Sequence, residues 1–298
     1  MTSDLQSADI IGGKLQETLA LLRQGQWDAA EARCRDVLHL DPRHFDALQL
    51  LGAVAAQKNN PALAADLMGQ ALAVNPAHAP THFNLGRILQ AWGRHGEALA
   101  AFDAALALAP GLAEAHGARA QALFELRRYD EALTASNQSI ALKDGDPVVH
   151  NTRAAALTAL RYFSAAVESY NRAVLLAPGY AEAHANRGHA LRELGRFEDA
   201  ADSYEAALRL EPDFPFLRGT RLNARLQACL WDNLAADTAD IKTRVARGER
   251  VTPSWMTLVL SDDAWRSCSC ARNSTYRPAR YGRAASAATR LRPLRLAA

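Results

Sequence analysis

Four histidines, His82, His116, His150 and His184, recur at intervals of 34 residues. Imidazole is the commonest metal-ligating side chain, so the spacing raises a metal reading first. Distance argues against it. If the four occupy equivalent helices of a stack, neighbours lie about 8–10 Å apart, whereas Zn–N bonds are about 2.1 Å. A packing role and no bound metal are expected. His95, Gly96 and Glu97 spell the H-x-E of zinc deaminases, but no P-C-x-x-C follows. Cys268 and Cys270 form a C-x-C without partner ligands, and Cys34 reads as a small buried hydrophobe. GxxxxGK[ST], HExxH and GxSxG are all missing. No catalytic residue and no cofactor is expected.

The elements that hold these residues follow from the same interval. Pro falls at 42, 76, 110, 178 and 212, and Asp144 takes the skipped place. With this residue as position 32, six blocks result: 11–44, 45–78, 79–112, 113–146, 147–180 and 181–214. Position 20 is then Ala in all six (Ala30, Ala64, Ala98, Ala132, Ala166, Ala200). Position 8 is Thr18, Gly52, Gly86, Ala120, Ala154 and Gly188, and position 27 is small throughout. Position 24 takes larger groups, including Met68, Phe102, Tyr170 and Tyr204. A fixed period of this size is the mark of a repeat architecture.

Each block reads as two helices, at roughly positions 2–14 and 17–30. Of the chain's residues 63 are Ala and 7% are aromatic, a composition that favours closely packed helices over sheets. Gly25, Gly93 and Gly195 at position 15 end the first helix, where positive φ is needed. Positions 8, 20 and 27 are small so that two helix backbones can cross. Positions 11, 24 and 30 are expected to fill the space between helices. Position 32 ends the second helix. One block cannot bury its own apolar face, so the blocks must stack.

The pattern resembles the tetratricopeptide repeat family, most closely in AEAHANRGHALRELGRFEDAADSYEAALRLEPDF at 181–214. The resemblance implies an all-α, right-handed solenoid of six helix-turn-helix repeats. Block 11–44 departs from it at Lys14, Glu17 and Thr18, as suits a polar N-terminal cap. The family lines a concave groove with positions 2, 5, 6, 9, 12 and 13. Here that implies Gln49, Asn84, Arg87, Gln121, Asn151, Asn186, His189 and Arg192 as peptide-binding residues. An Asn side chain offers donor and acceptor together, and so can hold the backbone of an extended peptide of any sequence. The competing reading is that these are only solvated polar groups. Clamps for acidic chaperone C-termini use groove lysines and arginines to grip carboxylates. Lys14, Lys58, Lys143 and Lys242 fall elsewhere, so that subclass is not expected.

Residues 1–10 form a lead, 11–214 the repeats and 215–264 a helical extension. In the extension Leu222, Leu226 and Leu230 follow one helical face. Asp232 is placed to cap a second helix carrying Leu234, Ile241 and Val245 and ending at Gly248. Ser261 could cap a third. This stretch resembles the linker of bacterial proteins similar to O-linked N-acetylglucosaminyltransferases. The matching parts are Asp213-Phe214-Pro215, Arg218-Gly219, Cys229-Leu230-Trp231-Asp232, Gly248-Glu249-Arg250-Val251-Thr252-Pro253 and Leu260-Ser261-Asp262-Asp263. In that family the linker leads to a catalytic domain that transfers a sugar from a UDP-sugar to Ser or Thr. Here the likeness stops near Trp265.

Residues 266–298 hold eight Arg and no Asp or Glu, while the rest carries 26 basic against 32 acidic residues. The tail, 265–298, reads as a frameshift product. Its rivals are a disordered segment and a basic arm, the one route to nucleic acid. The expected function is a scaffold for extended proteins or peptides, or a truncated glycosyltransferase inactive without its catalytic domain. No run of about 20 apolar residues marks a membrane span. The N-terminus lacks a signal peptide's basic start, and four cysteines are too few for a disulfide scaffold. A cytoplasmic location is expected.

Overall fold

The computed structural model describes residues 2–253, with side chains from residue 9 onward. Among the described residues every regular element is a helix. Repeat by repeat these are α1 (Thr2–Arg23) and α2 (Trp27–Leu40), α3 (Phe45–Gln57) and α4 (Pro61–Val74), and α5 (Ala79–Ala91) and α6 (His95–Leu108). Next come α7 (Ala113–Glu125) and α8 (Tyr129–Leu142), α9 (Pro147–Ala159) and α10 (Phe163–Leu176), and α11 (Ala181–Glu193) and α12 (Phe197–Leu210). The extension supplies α13 (Leu217–Gln227) and α14 (Leu234–Ala246). The chain divides into two compact units between Arg128 and Tyr129.

Position 15 turns each pair. Gly25, Gly93 and Gly195 have φ of 72°, 81° and 73° there, as their lack of Cβ allows. Asn59, Arg127 and Arg161 adopt the same left-handed conformation at φ 59°, 61° and 66°. The turn is therefore a property of the repeat rather than of glycine.

In the N-terminal unit the core joins Leu48, Leu51, Ala64, Met68 and Ala71 to Cys34 and Ile88. Burial pushes the Cys34 thiol up to about 11, so it stays protonated at neutral pH. In the C-terminal unit Leu157, Tyr170, Leu191, Tyr204 and Leu217 pack among alanines. Position 8 is small for a reason more specific than crossing backbones. A Cβ on Gly86 would lie 2.5 Å from Cε1 of Phe102, and one on Gly188 2.5 Å from Cε1 of Tyr204. The ring at position 24 stands on the glycine of its own repeat.

The expectation for position 30 is overturned. Leu40, Val74, Leu108, Leu142 and Leu210 are 37–53% exposed. As the last residue of each second helix, position 30 lies past the turns that carry the buried positions 20, 24 and 27. Two readings of the extension also change. α13 ends at Gln227, so Leu230 is not on it. The N-cap of α14 is Asn233 at φ 59°, and no side chain caps the helix. With Asn233 at the N-cap, Asp232 lies one residue before the position from which a side chain caps a helix. Leu222, Ile241 and Val245 do share a small core, completed by Val251. Gly248 follows α14 at φ 79°. Ser261, Trp265, Cys268, Cys270 and the Arg-rich tail lie outside the described residues.

Candidate functional site

The periodic histidines are tied individually to the chain just before them. Nε2 of His82, His116 and His184 lies 2.9, 2.9 and 3.0 Å from the carbonyl oxygens of Pro76, Pro110 and Pro178. His150 Nε2 instead meets Asp144 Oδ1 at 2.7 Å, because Asp144 replaces the proline. Each imidazole thus fastens the start of a first helix to the turn that precedes it.

The eight groove positions differ in how far their side chains are already engaged. In the N-terminal unit Gln49 on α3 donates to Thr81 Oγ1 and lies 3.2 Å from His78 Nδ1. On α7, Gln121 Oε1 accepts from Gln90 Nε2 of α5 at 3.0 Å. Asn84 and Arg87 on α5 are half-buried, and neither has a hydrogen-bond partner among the described residues. The Arg87 guanidinium lies 6.0 Å from the centre of the Phe83 ring. Burial lowers its pKa, and no neighbouring carboxylate offsets that.

In the C-terminal unit the side chains are linked. Asn151 on α9 donates to the Tyr180 hydroxyl at 3.2 Å, and Asn186 on α11 reaches Asn151 Oδ1 at 3.5 Å. Burial pushes the Tyr180 phenol well above its usual range. His189 Nδ1 lies 3.0 Å from the Tyr204 hydroxyl. Burial, helped by the Arg192 charge, lowers the His189 pKa to about 4, so the ring is neutral at pH 7. Arg192 donates to Glu193 Oε1 at 3.1 Å. The structure thus brings Asn151 and Asn186 together, and separately His189 and Tyr204.

Two sets of residues were missed in the sequence. Position 34 holds His78 and Tyr180, which take up the amides at position 5 of the same repeat. The second set is a ladder of arginines at position 7: Arg119, Arg153, Arg187 and Arg221. Each reaches back sixteen residues to the preceding second helix. Arg119 meets Asp103 at 2.6 Å, Arg153 meets Asn137 at 2.7 Å, Arg187 meets Asn171 at 3.1 Å, and Arg221 meets Glu205. The last three also reach forward sixteen residues, to Ser169, Ser203 and Asp237. Their common spacing of 34 was the available signal.

The ladder carries the register into α13 and α14. Arg218 occupies position 4, where other repeats place histidine, and donates to the Pro212 carbonyl at 3.1 Å. Cys229 at position 15 has φ 57°. Residues 215–248 are a seventh, degenerate helix pair. Its end is closed by the segment after Gly248. Phe216 and Gly219 donate backbone N–H groups to Arg250 and Val251 carbonyls at 2.5 and 2.8 Å. A Cβ on Gly219 would collide with Thr252.

Helix pairs repeating every 34 residues, turned by a left-handed residue and packed through small positions, define a helical-repeat protein. Tetratricopeptide repeat models match residues 15–80, 59–113, 89–156 and 181–214, together more than half of the chain. The chain belongs to the tetratricopeptide repeat family. No curated protein matches it. Among solved structures it resembles pilF of Pseudomonas aeruginosa, with 22% identity, a TM-score of 0.60 and coverage of 70% of this chain and 94% of that one. A tetratricopeptide repeat protein of Parabacteroides merdae gives 14% identity and a TM-score of 0.61, over 85% of this chain and 98% of that one. YrrB, described as having an unusual peptide-binding site, gives 17% and 0.52, over 60% of this chain and 93% of that one. At these identities the likenesses establish the fold. Among the described residues no helix is long and apolar enough to cross a membrane.

Proposed function

We propose that the chain is a protein-interaction scaffold that holds an extended peptide on the face formed by its first helices. The observation that carries this is the state of Asn84 and Arg87. Two adjacent, half-buried polar side chains on one face of α5 have no hydrogen-bond partner among the described residues. Their polar atoms are not among the buried unpartnered ones, so they reach solvent and stand free for a ligand, and a peptide backbone supplies both a donor and an acceptor. Asn186 holds the same position three repeats later, in the C-terminal unit, where its Nδ2 reaches Asn151 Oδ1 at 3.5 Å and its own Oδ1 remains to accept from a peptide N–H. The likeness to YrrB supports the reading at the level of the fold. The test is a selection of peptides from a random displayed library on the full chain. Peptides so obtained should bind at least about tenfold more weakly when Asn84→Ala and Asn186→Ala are combined, with helix content unchanged by circular dichroism. Undiminished binding would refute the groove.

A second reading is that the chain is the repeat part of a protein O-glycosyltransferase. It rests on the resemblance of the linker alone; two of the resembling segments, at 218–219 and 249–253, pack together at the start of α13. In this reading the repeats present acceptor proteins to a catalytic domain. Translating the DNA beyond codon 255 in all three frames decides it. Resumption of an acidic, periodic sequence for several hundred codons is the expected result, and early stops in every frame would end this reading.

A further inference from the structure

We propose that Arg87 selects an acidic side chain of the bound peptide, with Asn84 one turn earlier holding that peptide's backbone. The proposal rests on the groove reading above and specifies its ligand. Other half-buried arginines in the fold are paired: Arg119 with Asp103, Arg153 with Asn137 and Ser169, Arg187 with Asn171 and Ser203, Arg192 with Glu193, and Arg221 with Glu205 and Asp237. Arg87 instead has only the Phe83 ring, 6.0 Å from its guanidinium carbon. The neighbouring side chains on that face of α5, at Phe83, Asn84 and Gln90, are uncharged.

A partly desolvated cation without a counter-charge is an energetic debit that a ligand carboxylate can remove. Guanidinium donors are matched in geometry to a carboxylate, which they bind through two parallel hydrogen bonds. The surroundings fit an extended chain. Asn84, Arg87 and Gln90 follow one another at intervals of three along one helical face. The Gln90–Gln121 hydrogen bond uses one donor and one acceptor, leaving Gln121 N–H and Gln90 Oε1 for a peptide backbone. The position of the charge therefore dictates where along the peptide the acid must fall, and the amides on either side are indifferent to sequence.

The experiment selects a random twelve-residue displayed library on the full chain and, in parallel, on Arg87→Gln. Peptides selected on the unaltered chain should carry Asp or Glu at one fixed place. Synthetic copies should bind Arg87→Gln about tenfold or more weakly. Changing the acid to its amide should cause the same loss, with little added loss on Arg87→Gln, as a double-mutant cycle requires for a direct pair. The difference should shrink between about 50 and 500 mM salt. Arg87→Lys should keep part of the preference, and circular dichroism with thermal melting verifies that each variant folds. Peptides that depend on Asn84 but show no acidic place, or an acid whose effect survives Arg87→Gln, would overturn this assignment and leave the groove standing. A selection that yields no peptide, or only peptides indifferent to Asn84→Ala with Asn186→Ala, would overturn both.

Discussion

At Gly86 the chain leaves no room for a single carbon, because Phe102 Cδ1 and Cε1 would lie 2.6 and 2.5 Å from an added Cβ. Phe102 is fully buried, so the ring cannot swing into solvent. Gly86→Ala should destabilise the N-terminal unit by about 2–3 kcal/mol, the upper range for overpacking a tight core. Urea unfolding measures it, and Phe102→Leu in the same chain should recover part of the loss. Gly52→Ala should cost less, since the nearest atom is the flexible Met68 Cε at 3.1 Å. His189 makes a second residue-scale case. Its folded pKa of about 4 lies below the unfolded value near 6.5. The unfolded chain binds the proton more readily, so stability falls as pH drops through that window. The loss between pH 7 and 5 should be about 2 kcal/mol, and His189→Gln should flatten that part of a melting-temperature profile. The need for a small residue at position 8 was legible in the aligned glycines. That its neighbour is the position 24 ring was not, since periodicity does not say which side chains from two helices meet.

Helix pairs depend on their turns, and there the repeat tolerates a cost. Arg127 is exposed and sits at φ 61°, a conformation that costs an L-residue about 1–2 kcal/mol. Glycine relieves this at an entropic cost of about 0.5–1 kcal/mol. Arg127→Gly should therefore raise stability slightly, by about 0.5–1 kcal/mol, as a shift in the urea midpoint with unchanged slope. A fall would mean that the arginine side chain contributes contacts of its own. The three glycines at position 15 announced this turn in the sequence, and the non-glycine turns follow from the period. The exposed leucines at position 30 could not be told from core by pattern alone, because an apolar residue ending a helix looks the same whether or not a neighbour crosses it. The groove amides were recognisable as polar, but their engagement was not. Gln49 and Asn151 are each taken up by a residue 29 positions later, a distance that acquires meaning only when a first helix lies beside the turn into the next repeat.

In a stack of repeats, stability is a sum of repeats and of interfaces between neighbours, so each interface can be tested by itself. Among the described residues the degenerate seventh pair is joined to the sixth repeat through Arg221. This arginine is ion-paired to Glu205 on α12 and, at 2.5 Å, to Asp237 on α14. Its spacing from Arg119, Arg153 and Arg187 was visible in the sequence, but its purpose depends on three helices meeting at one guanidinium. Removing it takes the cation from Glu205 and leaves the mostly buried Asp237 with only the longer contact to Arg225, at 3.7 Å. Breaking such a pair from one side is costlier than the pair's net contribution. Arg221→Ala should therefore loosen α13 and α14 as a block. Hydrogen exchange of their backbone amides should quicken by about tenfold or more, the equivalent of about 1.4 kcal/mol. Amides of α3 to α6 should exchange as before, because in a one-dimensional stack a disturbance at the last interface reaches only its neighbours. Equal acceleration in every helix would show instead that the chain opens as one cooperative body, and the additive account of its stability would have to be abandoned.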